Sequence, residues 1–131
     1  MRRVLCDTNA AIWWFAGVPR LTDSARTGIE NAGTVFLSLA SVWEVSIKVG
    51  KFGRGRSPAL DGLVDALKAG EFAGGFELLA PSMHDYIDAG LLPRHHGDPF
   101  DRLLAAQARN GDMPIVSSDR AFDAYGVTRI W

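Results

Sequence analysis

The sequence predicts an α/β fold, with a central, mainly parallel sheet flanked by helices on both faces. Three observations carry this expectation. Short β-branched or apolar runs alternate along the chain with longer segments of helical period. Helix starts and stops fall between them, marked by Ser, Thr and Asp before the helical runs and by Gly and Pro after them. The length, 131 residues with 47% hydrophobic and 22% charged, is that of one ordinary globular domain able to bury a sizeable core, here taken as 1–131.

Taken in order, RRVLCD reads as a strand ending in Asp7, and TNAAIWWFAG as a helix closing at Gly17 before Pro19. LTDSARTGIENAG offers Thr22 or Asp23 as a cap and Gly33 as a stop. TVFLS is a β-branched and aromatic strand. LASVWEVSIKVGKF returns to helical spacing, with Val42, Val45 and Val49 on one face and Trp43 and Ile47 beside it. GRGRSP, residues 53–58, is the clearest loop. ALDGLVDALKAG is an amphipathic helix weakened by Gly62, FELLA a strand, and SMHDYIDAGLLP a short helix stopped by Gly90 and Pro93. A helix from Asp98 to Asn110 ends at Gly111, read as its C′ residue. PIVSSD is a strand ending in Asp119, RAFDAYG a turn of helix and VTRIW a last strand.

Composition excludes several classes. A net charge of −1 is not that of a general nucleic-acid binder, so any such contact needs a local patch. No apolar run approaches the ~20 residues that cross a bilayer. MRRVLCDTN, interrupted by Asp7, does not read as a signal peptide. Cys6 stands alone, which rules out an internal disulfide, fits a reducing cytoplasm and suggests a packed thiol.

The chemistry lies in the acids. Asp98, Pro99 and Asp101 form a strong helix-start pattern. Asp7 and Asp119 are placed to cap the segments after their strands. Glu44 follows Ser41 in a Ser-x-x-Glu capping-box pattern and precedes Lys48 by four. Each acid alone has a structural explanation. Together Asp7, Glu44, Asp101 and Asp119 are expected on one rim, because parallel strands end on one side and right-handed crossovers return helix starts to it. Four carboxylates gathered there repel unless protonated or neutralised, and an all-oxygen set suits Mg²⁺ or Mn²⁺. Zinc is disfavoured, since Cys6, His84, His95 and His96 lack ligand spacing; His95 and His96 read as a polar loop pair.

LCDTNAAIWW, SVWEVSIKVGKF, HHGDPFDRLLAAQA and PIVSSDRAFDAYGV with a terminal RIW resemble, in order and over nearly the whole chain, the four motifs of a PIN-domain ribonuclease of the VapC type, the toxin of bacterial toxin–antitoxin pairs. The resemblance implies the PIN-like fold and names Asp7, Glu44, Asp101 and Asp119 as the catalytic acidic cluster. Asp101 is preferred to Asp98 because the third acid of such proteins precedes an apolar-Ala-Ala run, here LLAA at 103–106. Asp98 then caps the helix, reaches a second metal through water, or both. Asn9 stands where many relatives carry histidine or serine. The resemblance further implies Mg²⁺- or Mn²⁺-dependent hydrolysis of RNA to 5′-phosphate and 3′-hydroxyl ends, a cognate antitoxin covering the acidic groove, and a homodimer.

Lys48, Lys51, Arg54 and Arg56, with Arg94 and Arg102 near the acids, form a candidate phosphate-contacting patch, or else a solvated surface and loop. Trp13, Trp14, Trp43 and Trp131 are expected in the core or an interface rather than stacked on bases. Two other classes compete with the nuclease. One is a PIN-like binding module without catalysis. The other is a Mg²⁺-dependent phosphatase or receiver domain, which DTN disfavours by lacking a second aspartate.

Overall fold

The strands β1 (Arg3–Cys6), β2 (Thr34–Ser38), β3 (Phe76–Leu79), β4 (Ile115–Val116) and β5 (Arg129–Ile130) pair in the order β3–β2–β1–β4–β5. Every pairing is parallel, in a computed structural model that describes residues 2–70, 76–95 and 97–131. β1 lies in the middle, with Cys6 opposite Leu37 on one side and Val116 on the other. Pleating sends Val4 and Cys6 to one face and Leu5 to the other. All three are fully buried, which is why RVLC is apolar without a break after its first residue. The Cys6 thiol is packed as expected, and burial pushes its pKa up, away from reactivity.

The helices are α1 (Thr8–Ala16), α2 (Asp23–Glu30), α3 (Leu39–Phe52), α4 (Pro58–Lys68), α5 (Met83–Leu91) and α6 (Pro99–Asn110), with a 3₁₀ turn at Arg120–Tyr125. On one face α1 and α2 bring Ala10, Ala11, Ala25 and Ile29 onto Val4, Val35 and Leu37. On the other, α6 and the 3₁₀ turn bring Leu104, Ala105 and Phe122 onto Leu5 and Ile115. A third cluster, Ile12, Val45 and Leu63, ties α1 to α3 and α4.

Element type follows the sequence throughout, while several ends do not. α3 starts at Leu39 under a Ser38 cap, so Ser41 and Glu44 lie inside the helix and form no capping box. The box occurs instead at α5, where Ser82 and Asp85 bond each other's backbone. α2 ends at Glu30, before Gly33, and α5 runs through Gly90 to Leu91, stopping short of Pro93. Gly111 stays right-handed at φ −85°, and the left-handed residue is Asp112, at φ 50°. Space at 111 is tight: a Cβ there would lie 2.8 Å from Met113 Cε, the flexible tip of that side chain, and 3.1 Å from the Gln107 carbonyl. Among the described residues, no helix is long and apolar enough to cross a membrane.

Candidate active site

Strand order reverses between β1 and β4, and it is outside the carboxyl ends of these two strands that open parallel sheets bind ligands. Asp7 follows β1 there, and Ser117 and Asp119 follow β4. The Asp7 N–H donates to Val116 O at 3.0 Å and the Ser117 N–H to Ile130 O at 3.2 Å, so sheet pairing fixes both residues on this rim.

Asp7 is 6% exposed. Its Oδ1 accepts the Ala10 N–H at 2.8 Å, capping α1, and its Oδ2 accepts the Ser117 hydroxyl at 2.5 Å. Burial pushes its pKa up from 3.8 to about 6; the Ser117 and Ala10 bonds oppose the rise, and the nearby charges of Glu44 and Asp119 add to it. Ser117 is fully buried, and its Oγ also accepts the Asp119 N–H at 3.0 Å. One hydroxyl thus holds two acid-bearing positions. Asp119 Oδ1 accepts the Ala121 N–H at 2.9 Å, so this carboxylate does cap the 3₁₀ turn.

Glu44 arrives from α3. Its Oε1 lies 2.6 Å from the Thr8 hydroxyl and its Oε2 lies 3.4 Å from Lys48 Nζ. Thr8 Oγ1 is also 2.9 Å from Ser41 Oγ. A carboxylate only accepts and a hydroxyl has one proton, so Thr8 donates to Glu44 and Ser41 to Thr8. Thr8 and Ser41 are 4% and 1% exposed, so this chain of bonds is dry on its protein side. Ser41, read from the sequence as half of a cap, serves as an anchor between α3 and α1.

Asp98 caps α6 by accepting the Phe100 N–H at 2.8 Å, and Asp101, in the first turn, is half-buried. Phe100 meets the exposed ring of Trp43 edge-on, with centroids 5.4 Å apart, which brings the residues before Asp101 and Glu44 together. Electrostatic coupling therefore joins Asp7, Glu44 and Asp119. Among the described residues, no three Asp, Glu, His or Cys side chains stand close enough to hold a metal ion in their present positions. The donor chemistry still fits Mg²⁺ or Mn²⁺. All the candidates are hard carboxylates, and the Asp7 carboxyl, whose pKa is raised chiefly by burial and further by the charges of Glu44 and Asp119, is of the kind a divalent cation would hold ionised.

The basic residues are less open than their spacing suggests. Arg102 donates to the carbonyls of Pro93, Ala89, Gly90 and Leu92, closing the end of α5. Arg54 bonds Asp65 at 2.8 Å and lies 3.8 Å from Asp61. Lys48 pairs with Glu44, and Lys51 lies over the Phe52 ring. Arg56 and Arg94 are exposed. His95 packs against Tyr125, and His96 lies outside the described residues. Of the tryptophans, Trp14 and Trp131 pack on the α1–α2 core and Trp13 on the third cluster, whereas Trp43 is 65% exposed.

Sequence reasoning passed over Thr8 and Ser117, and gave Ser41 only a capping role. The available signal was a hydroxyl beside an acid at a strand end (Asp7-Thr8, Ser117-x-Asp119), where a packed α/β sheet otherwise calls for apolar side chains.

Comparison with known proteins bears on the fold. No curated protein matches the sequence. VapBC from Salmonella typhimurium, solved bound to DNA, has a chain that is 19% identical, covering 98% of this chain and 97% of that one at a TM-score of 0.69. VapC20 of Mycobacterium tuberculosis, a Sarcin-Ricin loop cleaving toxin, is 18% identical over 95% and 96% of the two chains, at 0.68. VapBC2 from Rickettsia felis, bound to a promoter DNA fragment, is 16% identical over 97% and 96%, at 0.67. Identities this low establish a shared fold. The family model of the PIN domain matches residues 4–127, and the chain belongs to the PIN-domain family.

Proposed function

We propose that this PIN domain is the toxin of a toxin–antitoxin pair, a Mg²⁺- or Mn²⁺-dependent endoribonuclease. The observation that carries the reading is the buried Asp7 carboxyl at the strand-order switch, electrostatically coupled to Glu44 and Asp119. Asp7, Asp101 and Asp119 are assigned to hold the ion, while Asp98 caps α6 and would reach a second ion, if one binds, through water. When bound, such an ion lowers the pKa of a water and offsets charge on the scissile phosphate. Glu44, anchored by Thr8, orients that water or takes its proton. Water adds to phosphorus as the P–O3′ bond breaks, leaving a 5′-phosphate and a 3′-hydroxyl. Arg56, Arg94 and Lys51 are exposed cations offered to RNA phosphates.

Two protein partners belong to this reading, a cognate antitoxin and a second copy of the chain. The solved likenesses described as VapBC complexes support the first. An apolar groove of about 630 Å³ between α3, α5 and α6, lined by Leu39, Trp43, Ile47, Tyr86 and Phe100, supports an apolar partner surface.

The present side-chain positions favour a second reading, a PIN-fold binding module without catalysis. Asp7, Glu44, Asp98 and Asp119 each bond a protein donor, and no three acids converge among the described residues. Incubating a mixed RNA pool with purified protein in Mg²⁺, Mn²⁺ or EDTA, beside Asp101→Asn, separates the two. The nuclease reading expects metal-dependent cleavage that the variant loses by at least a hundredfold. Products with 2′,3′-cyclic phosphate ends would refute the water-attack mechanism. Folded protein that binds RNA or antitoxin and cuts nothing belongs to the second reading.

A further inference from the structure

The pairing of Glu44 with Lys48 differs from an ordinary ion pair along an exposed helix. Lysine four residues after glutamate usually joins two solvated side chains and contributes little. Here the Glu44 side chain is only 12% exposed and is clamped on its other oxygen by Thr8, while Lys48 keeps 33% exposure. Thr8 follows Asp7 directly and caps nothing; its hydroxyl holds Glu44 toward the rim. The fixed partner is therefore the acid, and the mobile partner is the lysine. Lys48 Nζ, 3.4 Å from Oε2, sets a positive charge against an acid whose own charge is felt at Asp7.

We propose that Lys48 is a built-in counter-ion of the acid site, neutralising Glu44 while no divalent cation is bound and leaving it as one loads. The inference rests on the metal-dependent reading and adds to it a residue that sets metal affinity. Lysine suits this role, because one compact charge on a flexible stem can withdraw to solvent without breaking packing. The exchange involves no covalent step. The positive charge that a bound ion brings to the site takes over the neutralising of Glu44, and the ammonium group withdraws to solvent.

Isothermal titration of the full chain with Mg²⁺ and with Mn²⁺, without RNA, tests this for wild type, Lys48→Met, Lys48→Gln and Lys48→Arg. With the competitor gone, the two neutral variants are expected to bind Mn²⁺ about three- to tenfold more tightly, and Lys48→Arg within about twofold of wild type. Thermal melting supplies a second readout. In EDTA the neutral variants should melt below wild type, and added metal should close that gap. Equal or weaker metal affinity in both neutral variants, with wild type binding normally, overturns the counter-ion role and leaves the nuclease reading standing. Failure of every protein to bind Mg²⁺ or Mn²⁺ overturns both.

Discussion

Asp7→Asn is expected to stabilise the metal-free protein at neutral pH while abolishing the proposed chemistry. The asparagine carbonyl can cap α1 as well as aspartate does, and its amide can meet Ser117 Oγ once that hydroxyl turns. What the substitution removes is a buried charge. Displacement of the Asp7 pKa from 3.8 to about 6 corresponds to roughly 3 kcal/mol between the two protonation states. The sign follows from linkage. A folded-state pKa above the unfolded value means that the native protein holds the proton more tightly. Its stabilising effect is complete below pH ~4, shrinks as pH rises, and is gone above pH ~6. Wild type should therefore lose stability relative to Asp7→Asn between these limits and then run parallel to it. Urea titrations in EDTA from pH 4 to 8 would show the variant more stable by about 2–3 kcal/mol at pH 8, some 7–11 °C in Tm, and nearly equal to wild type at pH 4. Added Mg²⁺ should stabilise wild type alone. The reasoning fails if Asp7→Asn is no more stable than wild type at pH 8, or if the gap is the same at both ends of the range.

The remaining expectations concern the groups that hold the site in place. Ser117→Ala removes a donor from a buried carboxylate and should cost roughly 1.5–3 kcal/mol at pH 8, less at pH 4, by chemical denaturation. It should also raise the Asp7 pKa further, readable by carboxyl NMR. Arg102→Met leaves the carbonyls at the end of α5 without their donor and should destabilise by ~1–3 kcal/mol. The logarithmic salt slope of RNA binding should be unchanged in that variant, whereas a slope about 1 smaller would make Arg102 a phosphate ligand. Gly111→Ala should change stability by less than about 1 kcal/mol in the same assay, because the flexible Met113 tip can yield and the right-handed backbone at 111 accepts alanine.

The sequence by itself determined the element order and the parallel α/β class, and with them the strand ends after which Asp7 and Asp119 stand. Each of these follows from short-range rules: period, caps, and the handedness of strand–helix–strand connections. Asp7 and Asp98 read as caps and are caps, because capping is decided within four residues. Only the tertiary structure decided what those rules leave open. Ser41 reads as the start of a capping box with Glu44, yet α3 begins at Leu39 under Ser38, and the buried Ser41 hydroxyl instead finds Thr8 across 33 positions of chain. Arg102 and Arg54 read either as phosphate contacts or as solvated surface charges, and the folded chain adds partners that neither reading contained, the carbonyls ending α5 and the Asp65 carboxylate. The raised pKa of Asp7 was likewise invisible, since it depends on burial and on the charges of Glu44 and Asp119, with the Ser117 hydroxyl, 110 residues away, opposing the rise. Local chemistry sets where a side chain starts, but burial and long-range partners set its charge and what it can still bind, and those depend on the packed chain.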